Sequence, residues 1–239
     1  MEGREIELSV VVPVFNEIGN IDPLVERVRA AMEELGRPWE LILVDDGSTD
    51  GSGERMDELA AGDSHLKPLH FVHNFGQSAA MDAGFKHSRG RLVAFLDADL
   101  QTYPEDIPAL VATLEQQGVD AVVGIRVHRR DTGWKRLSSR FANWVRNRLT
   151  REDIVDTGCP LKLFRGEAIR SIKMFNGMHR FLPTLLKMEG FTVVQIPVRH
   201  APRHAGTSKY GTLDRAFRAL RDALAVRWMQ DRHLDWKLR

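Results

Sequence analysis

Two aspartates one residue apart, Asp97 and Asp99, follow the apolar run Leu92-Val93-Ala94-Phe95-Leu96. Strand residues two apart point to the same side, so both carboxylates can address one cation. A hard divalent ion such as Mg2+ or Mn2+ is held by one or two carboxylates and completes its shell with water and substrate phosphates. The pair therefore suggests a site for a nucleotide diphosphate. Simple solvation of a strand end is the alternative, and the rest of the chain has to decide between them.

Two other segments share this layout. Glu40-Leu41-Ile42-Leu43-Val44 runs into Asp45-Asp46-Gly47-Ser48-Thr49-Asp50-Gly51, and the apolar stretch from Leu8 runs through Pro13 into Phe15-Asn16-Glu17. In an open α/β sheet, ligands bind outside the carboxyl ends of the strands, so three such tips would converge on one crevice. The stretch after Asp45 partly mimics a calcium loop, with Asp57 at the closing position. An EF-hand loop follows a helix and this one follows a strand, which argues against it. Asp46, Ser48 and Asp50 read instead as turn and capping residues, and Asn16 or Asp22 as a helix cap.

Taken in order, Val11-Val12-Pro13-Val14-Phe15-Asn16-Glu17, then Val44-Asp45-Asp46-Gly47-Ser48-Thr49-Asp50-Gly51-Ser52, then Asn74-Phe75-Gly76-Gln77-Ser78 onward to Gly84, then Asp97-Ala98-Asp99-Leu100-Gln101, resemble glycosyltransferase family 2 with the GT-A fold. Within it the chain is most similar to dolichyl-phosphate or undecaprenyl-phosphate sugar transferases. The likeness runs from about Ile6 to about Tyr210, with the motifs in the family's order. It implies an α/β, Rossmann-like, doubly wound and mostly parallel sheet, with a catalytic domain over residues 1–212 and an amphipathic helical tail over 213–239.

The elements that must position these residues agree. Strands are expected at Leu8 onward, Trp39–Val44, Pro68–Val72, Arg91–Leu96, Ala121–Ile125 and Thr192–Val198. They alternate with helices near Ile21–Leu35, Gly51–Ala61, Gln77–His87, Pro104–Gln117 and Trp134–Leu149. That alternation is a doubly wound sheet. At 239 residues and 43% hydrophobic content, one large core and one catalytic unit are expected. The single cysteine, Cys159, excludes an intrachain disulfide and fits a reducing cytoplasm, most simply as a buried filler. The acidic start lacks the basic and apolar regions of a signal peptide, and no run approaches the ~20 apolar residues that span a bilayer. A soluble or peripheral protein on the inner face of the cell membrane is the expectation.

The resemblance assigns roles residue by residue. Pro13, Phe15, Glu17 and Asp45 match positions around the nucleotide base and ribose. Asp97, Ala98, Asp99 and Gln101 match the metal and diphosphate motif, with Mg2+ or Mn2+ as the ion. Arg203, Ser208 and Lys209 match the loop that closes over the diphosphate. Asp156 heads Asp156-Thr157-Gly158-Cys159-Pro160-Leu161-Lys162, where the family usually has Asp-x-x-Ser-Gly-Phe-Arg; Cys159 and Pro160 depart and mark a subgroup. His179 is a candidate to reach the sugar, or equally a capping residue.

From Arg126 to Arg151 the chain is rich in arginine and lysine, with Trp134 and Trp144 interleaved, although its net charge is only +1. Such local charge calls for a local partner: a lipid phosphate, an anionic leaflet or a nucleic acid. No nucleic-acid-binding motif accompanies it, so nucleic acid is set aside. In the lipid-phosphate transferases Arg126 and Lys135 or Arg136, with Ser139, would hold the acceptor phosphate, while Arg146, Arg148 and Arg151 read as a solvated face.

The expected activity is inverting transfer of a sugar from a nucleotide diphosphate sugar to a polyprenyl phosphate. GDP-mannose, UDP-glucose and UDP-N-acetylhexosamine donors stay open. A saccharide or other hydroxyl acceptor with Asp156 as base is the first rival, and a non-catalytic sugar-nucleotide-binding scaffold the second. In the tail, Leu213, Phe217, Leu220, Leu224 and Trp228 share one helical face with arginines around it. That face suits an anionic membrane surface. Packing on the sheet, on a second copy of the chain or on an integral membrane partner is the alternative.

Overall fold

The computed structural model describes residues 5–127, 147–151, 153–201 and 212–234, with the backbone alone for residues 212–218. Seven strands form one sheet in the order β3-β2-β1-β4-β6-β5-β7. They are β1 (Leu8–Val14), β2 (Trp39–Asp45), β3 (Leu66–His70), β4 (Leu92–Phe95), β5 (Ala121–Arg126), β6 (Lys162–Arg165) and β7 (Val193–Val198). All pairings are parallel except those of β6, which runs against both β4 and β5. The helices are α1 (Ile18–Leu35), α2 (Ser52–Gly62), α3 (Gln77–His87), α4 (Ile107–Gln117), α5 (Gly166–Ser171), α6 (Leu182–Met188) and α7 (Thr212–Arg232).

Alternation along the strands builds a core on each face. Val10, Val12, Leu41 and Leu43 point to α1 and α4, meeting Leu24, Val28, Met32, Leu110 and Leu114. Their neighbours Val11, Ile42 and Val44 point the other way, onto Met81 and Phe85 of α3 and onto Phe95 and Phe164. Both faces are covered, which is why these parallel strands read as unbroken apolar runs. Gly84 lets α3 lie against the sheet, because a Cβ there would collide with Val11 Cγ1.

The chain runs from β1 outward to β2 and β3, then crosses back to β4 on the other flank of β1. The carboxyl ends of β1 and β4 therefore border the crevice where strand order reverses, the usual ligand position in such sheets.

Several expectations shift. Helix α1 starts at Ile18, three residues early, and β3 spans Leu66–His70 rather than Pro68–Val72. Strand β6 was not anticipated, since Lys162-Leu163-Phe164-Arg165 is short, charged at both ends and lacks the polar alternation of a half-exposed strand. It is central and buried on both faces, a placement made by its partners. Of the helix expected over Trp134–Leu149, only a helical turn at 147–150 falls among the described residues.

Candidate active site

The loops after β1 and β2 are fastened to each other. Asn16 has a left-handed backbone (φ 55°), and its side-chain oxygen accepts from Thr49 N–H at 2.8 Å. In return Ser48 Oγ accepts from Asn16 N–H at 3.0 Å, and Ser52 Oγ from Glu17 N–H at 3.0 Å. Asp50 accepts from Ile18 N–H at 3.1 Å and from Ser52 N–H at 3.0 Å, a turn role as expected, while the N-cap position of α2 falls to Gly51. Pro13, Phe15 and Glu17 thus stand half-buried on the rim. Asp45 is 6% exposed, accepts from Ser48 N–H at 2.8 Å, and lies 3.2 Å from His70 Nδ1. Burial works against charge on His70, yet the carboxylates of Asp45 and Asp57 outweigh it and raise its pKa.

Asp46 ties in the third loop, a role the sequence did not reveal. Its carboxylate accepts from Phe75 N–H at 2.7 Å, Gly76 N–H at 2.9 Å and Asn74 Nδ2 at 3.0 Å, which fixes the approach to α3. Gly47, at φ 73°, passes so close that a Cβ would lie 2.6 Å from the His73 carbonyl carbon. The first residue of α3, Gln77, then donates to Asp97 Oδ1 at 2.9 Å.

Asp97 and Asp99 sit two and four residues past β4. Burial first, and the neighbouring Asp99 charge second, push the Asp97 carboxyl up to about 6. A carboxylate so placed gains when a cation arrives. Asp99 is 9% exposed and accepts from Gln101 N–H at 3.2 Å, while Leu100 between them has φ 59°. Left-handed backbone at a buried leucine is strained, as is frequent where a loop is shaped for a ligand. Ala98 is buried. Gln101 turns its side-chain amide toward Ala201 O at 3.4 Å, and Ala201 N–H returns to Gln101 O at 2.8 Å.

Because β6 is antiparallel, its first residue, Lys162, is level with Phe95 at the carboxyl end of β4 and with Val123 of β5. The preceding residues Asp156 and Cys159 are delivered to the same rim. There Arg126, the last residue of β5, donates from Nε to Asp156 Oδ2 at 2.7 Å and from Nη2 to Oδ1 at 2.8 Å. Burial opposes the Arg126 charge, but the Asp156 pair outweighs it. Lys162 is 3% exposed, donates to Cys159 O and lies 5.8 Å from the Phe95 ring centre. Burial lowers its pKa against the pull of Cys159, Asp97 and Asp156. Burial likewise pushes the Cys159 thiol up to about 11, so it is the inert filler expected.

Of the residues expected in the site, Asp97, Asp99, Arg126 and Asp156 meet at this rim, while Asp45 stands at the end of β2 beside His70, next to the β1 loop that carries Phe15 and Glu17. Lys135, Arg136, Ser139, Arg203, Ser208 and Lys209 lie outside the described residues. Gln77, Asp46 and Lys162 were missed. Lys162 had a signal, since it stands where the family pattern carries Arg.

The donor set fits a divalent ion that takes part of its shell from phosphates: two adjacent carboxylates, and, among the described residues, no cluster of three or more histidine, cysteine or acidic ligands that would cage a metal by itself. A doubly wound sheet with paired carboxylates at its switch point defines an α/β protein of the class that binds ligands outside the carboxyl ends of its strands. The model of glycosyl transferase family 2 matches residues 9–173, and the chain belongs to that family. It is 41% identical over 227 residues to the dodecaprenyl-phosphate galacturonate synthase of Rhizobium johnstonii, covering 93% of this chain and 67% of that protein. It is 40% identical over 205 residues to an undecaprenyl-phosphate 4-deoxy-4-formamido-L-arabinose transferase of Salmonella paratyphi A, covering 85% of this chain and 62% of the relative. The chain therefore spans about two thirds of the length of these relatives.

Solved structures share the fold. Glucosyl-3-phosphoglycerate synthase of Mycobacterium tuberculosis, determined with Mn2+, UDP and glucosyl-3-phosphoglycerate, superposes with a TM-score of 0.69 at 18% identity, over 96% of this chain and 81% of that one. A mannosyltransferase of Pyrobaculum calidifontis, determined with GDP-Man and Mn2+, gives 0.63 at 20% identity over 99% and 66%.

Proposed function

We propose that this chain transfers a sugar, with inversion, from a nucleotide diphosphate sugar to a polyprenyl phosphate. The carrying observation is the rim itself: Asp97 and Asp99 at the switch point, faced by the Arg126–Asp156 pair. The names of relatives at about 40% identity support a lipid-phosphate acceptor. Asp97 and Asp99 would hold Mg2+ or Mn2+, which when bound neutralises charge on the departing diphosphate. Pro13, Phe15, Glu17 and Asp45 line the nucleoside side. Gln101, Arg203, Ser208 and Lys209 are assigned to the diphosphate.

On the acceptor side, both Asp156 oxygens are engaged by Arg126. Asp156 is thereby suited to orient a cation rather than to abstract a proton. A phosphate monoester is largely ionised at neutral pH and needs no base, so this pairing favours it over a hydroxyl acceptor. Arg126, with Lys135, Arg136 and Ser139, is assigned to the acceptor phosphate.

The lipid must be met at a bilayer. Among the described residues no helix is long and apolar enough to cross one. On α7, Ala223 and Val226 are buried in the apolar cluster that also holds Phe181, Leu182 and Leu186, whereas Leu220, Leu224 and Trp228 are 45%, 52% and 65% exposed. At 100° per residue these three span one open stripe, bordered by Arg227 on one side and by Arg221 and Arg232 on the other. Arg227 also lines a cavity of about 470 Å³ with Arg148, Leu149 and Arg151. We assign the stripe to the acyl boundary of an anionic membrane and the arginines to its headgroups. The deciding experiment incubates purified protein with Mn2+, undecaprenyl phosphate and a panel of labelled UDP- and GDP-sugars. Transfer of label from one donor into lipid is expected; transfer only to saccharide acceptors, or none from any donor, would overturn the reading.

A further inference from the structure

Helix α3 touches two different parts of the rim with its first two residues. Gln77 reaches Asp97, and Ser78 Oγ lies 2.7 Å from His179 Nδ1. His179 is in the short 3-10 turn Met178–Phe181, and the residue before that turn, Gly177, donates its N–H to the same Ser78 Oγ at 3.0 Å. A hydroxyl that already accepts from a backbone N–H has its own proton to place. Placed on His179 Nδ1, 2.7 Å away, that proton makes Ser78 the donor; an Nδ1–H would instead use the hydroxyl's second lone pair, and the two tautomers differ in what Nε2 can do. A neutral imidazole with Nδ1 accepting carries its proton on Nε2. Burial, with the Arg180 and Lys162 charges adding to it, holds the ring neutral, with a pKa lowered to about 3.

The outer nitrogen of His179 makes no hydrogen bond within the described protein, although the residue as a whole keeps some exposure. The turn that carries it is also braced from behind. Gly177 has φ 86°, and a Cβ on it would sit 2.5 Å from Asp222 Oδ2 of α7. One nitrogen is thus engaged, the backbone is held on two sides, and the other nitrogen is left without a partner among the described residues, in a turn bonded to the residue next to the Asp97 contact.

We propose that His179 Nε2–H is a specificity-determining contact to an oxygen of the transferred sugar, set in that tautomer by Ser78. The inference rests on the donor-site reading given above and deepens it, since the ligand it names is the glycosyl portion and not the nucleotide. A hydroxyl or carboxylate oxygen on the sugar ring satisfies the donor; a deoxy position facing it would leave a desolvated N–H unmatched, a stronger basis for discrimination than apolar shape. The role is one of binding and selection. No bond is made or broken at His179.

The test compares affinities of UDP and GDP with those of UDP-glucose, UDP-N-acetylglucosamine and GDP-mannose by calorimetry in Mn2+, for wild type, His179→Phe and His179→Gln. The ratio of sugar-nucleotide to nucleoside-diphosphate affinity should fall about fivefold to tenfold in His179→Phe, the scale of one lost hydrogen bond, with UDP or GDP binding unchanged. His179→Gln, which keeps an N–H donor, should recover part of it. Without any variant, 15N spectra of the wild-type imidazole should report the Nε2–H tautomer and an Nε2 shift on adding sugar nucleotide with Mg2+, absent with the nucleoside diphosphate alone. An unchanged ratio in His179→Phe, an equal loss of nucleoside diphosphate affinity, or an Nδ1–H tautomer would overturn the proposal while the donor reading stands. If wild type in Mn2+ binds neither these sugar nucleotides nor UDP or GDP, both fall.

Discussion

Replacing Asp97 by Asn separates the metal ligand from the charge it brings to the fold. In the metal-free protein burial and the Asp99 charge raise this carboxyl from 3.8 to about 6. At about 1.4 kcal/mol per pKa unit, ionised Asp97 costs the folded state up to about 3 kcal/mol, a ceiling because the side chain keeps some solvent. Between the two values the native state holds a proton that the unfolded chain has released. Stability of the metal-free wild type therefore falls as pH rises from about 4 to about 6 and is level above that window. Asn keeps an oxygen to accept from Gln77 and carries no charge. Urea unfolding in EDTA should find Asp97→Asn more stable than wild type by about 1–3 kcal/mol at about pH 8, and equal to it at about pH 4. Mn2+ should stabilise the wild type increasingly as pH rises through about 6, since the ligand must lose its proton, and should do little for the variant. A variant no more stable than wild type in EDTA at the higher pH, or one that gains as much from Mn2+, would refute this account of the site.

Asp99→Ala should abolish turnover and Mn2+-dependent nucleotide binding while leaving the thermal midpoint within a few degrees, because the residue lies beyond the core strands; calorimetry showing wild-type binding would remove it from the metal site. Arg126→Ala leaves Asp156 buried without its partner and should destabilise the fold by about 3 kcal/mol, whereas Arg126→Ala with Asp156→Ala should cost less than the sum of the singles. Additive losses in that cycle would mean the pair is not coupled. In steady-state kinetics a Lys135→Ala, Arg136→Ala double variant should raise the KM for undecaprenyl phosphate far more than it alters nucleotide affinity; the reverse ranking would move these residues to the donor side. Flotation with anionic vesicles at low salt should recover the wild type, with binding that weakens as salt rises and is reduced by Leu224→Asp with Trp228→Asp. Equal binding by that double variant would reassign the stripe to protein contacts.

The sequence by itself determined the strands that lead into the site and the residues at their tips. Leu8–Val14, Trp39–Asp45 and Leu92–Phe95 are buried on both faces, so continuous apolar runs announced them, and their polar ends had to lie at the rim that strand direction defines. The paired carboxylates Asp97 and Asp99 were legible for the same local reason: alternation along an extended chain needs no knowledge of neighbours. The amphipathic stripe of α7 was legible too, but not what covers it. Helical period gives which residues share a face, and only the burial of Ala223 and Val226 in the cluster around Phe181, Leu182 and Leu186 left Leu220, Leu224 and Trp228 open.

Tertiary structure decided the other half of the site. The antiparallel insertion of β6 between β4 and β5 brings Lys162 level with Phe95 and sets Asp156 against Arg126, thirty positions away in sequence. Four residues with two charged ends carry no local signal for a central strand; their pairing energy comes from partners on both sides. The same holds for Ser78 and His179, joined across 101 positions by a single hydrogen bond. Local pattern fixes which side chains an element can present, whereas hydrogen bonds between distant loops depend on how strand order folds the chain back upon itself.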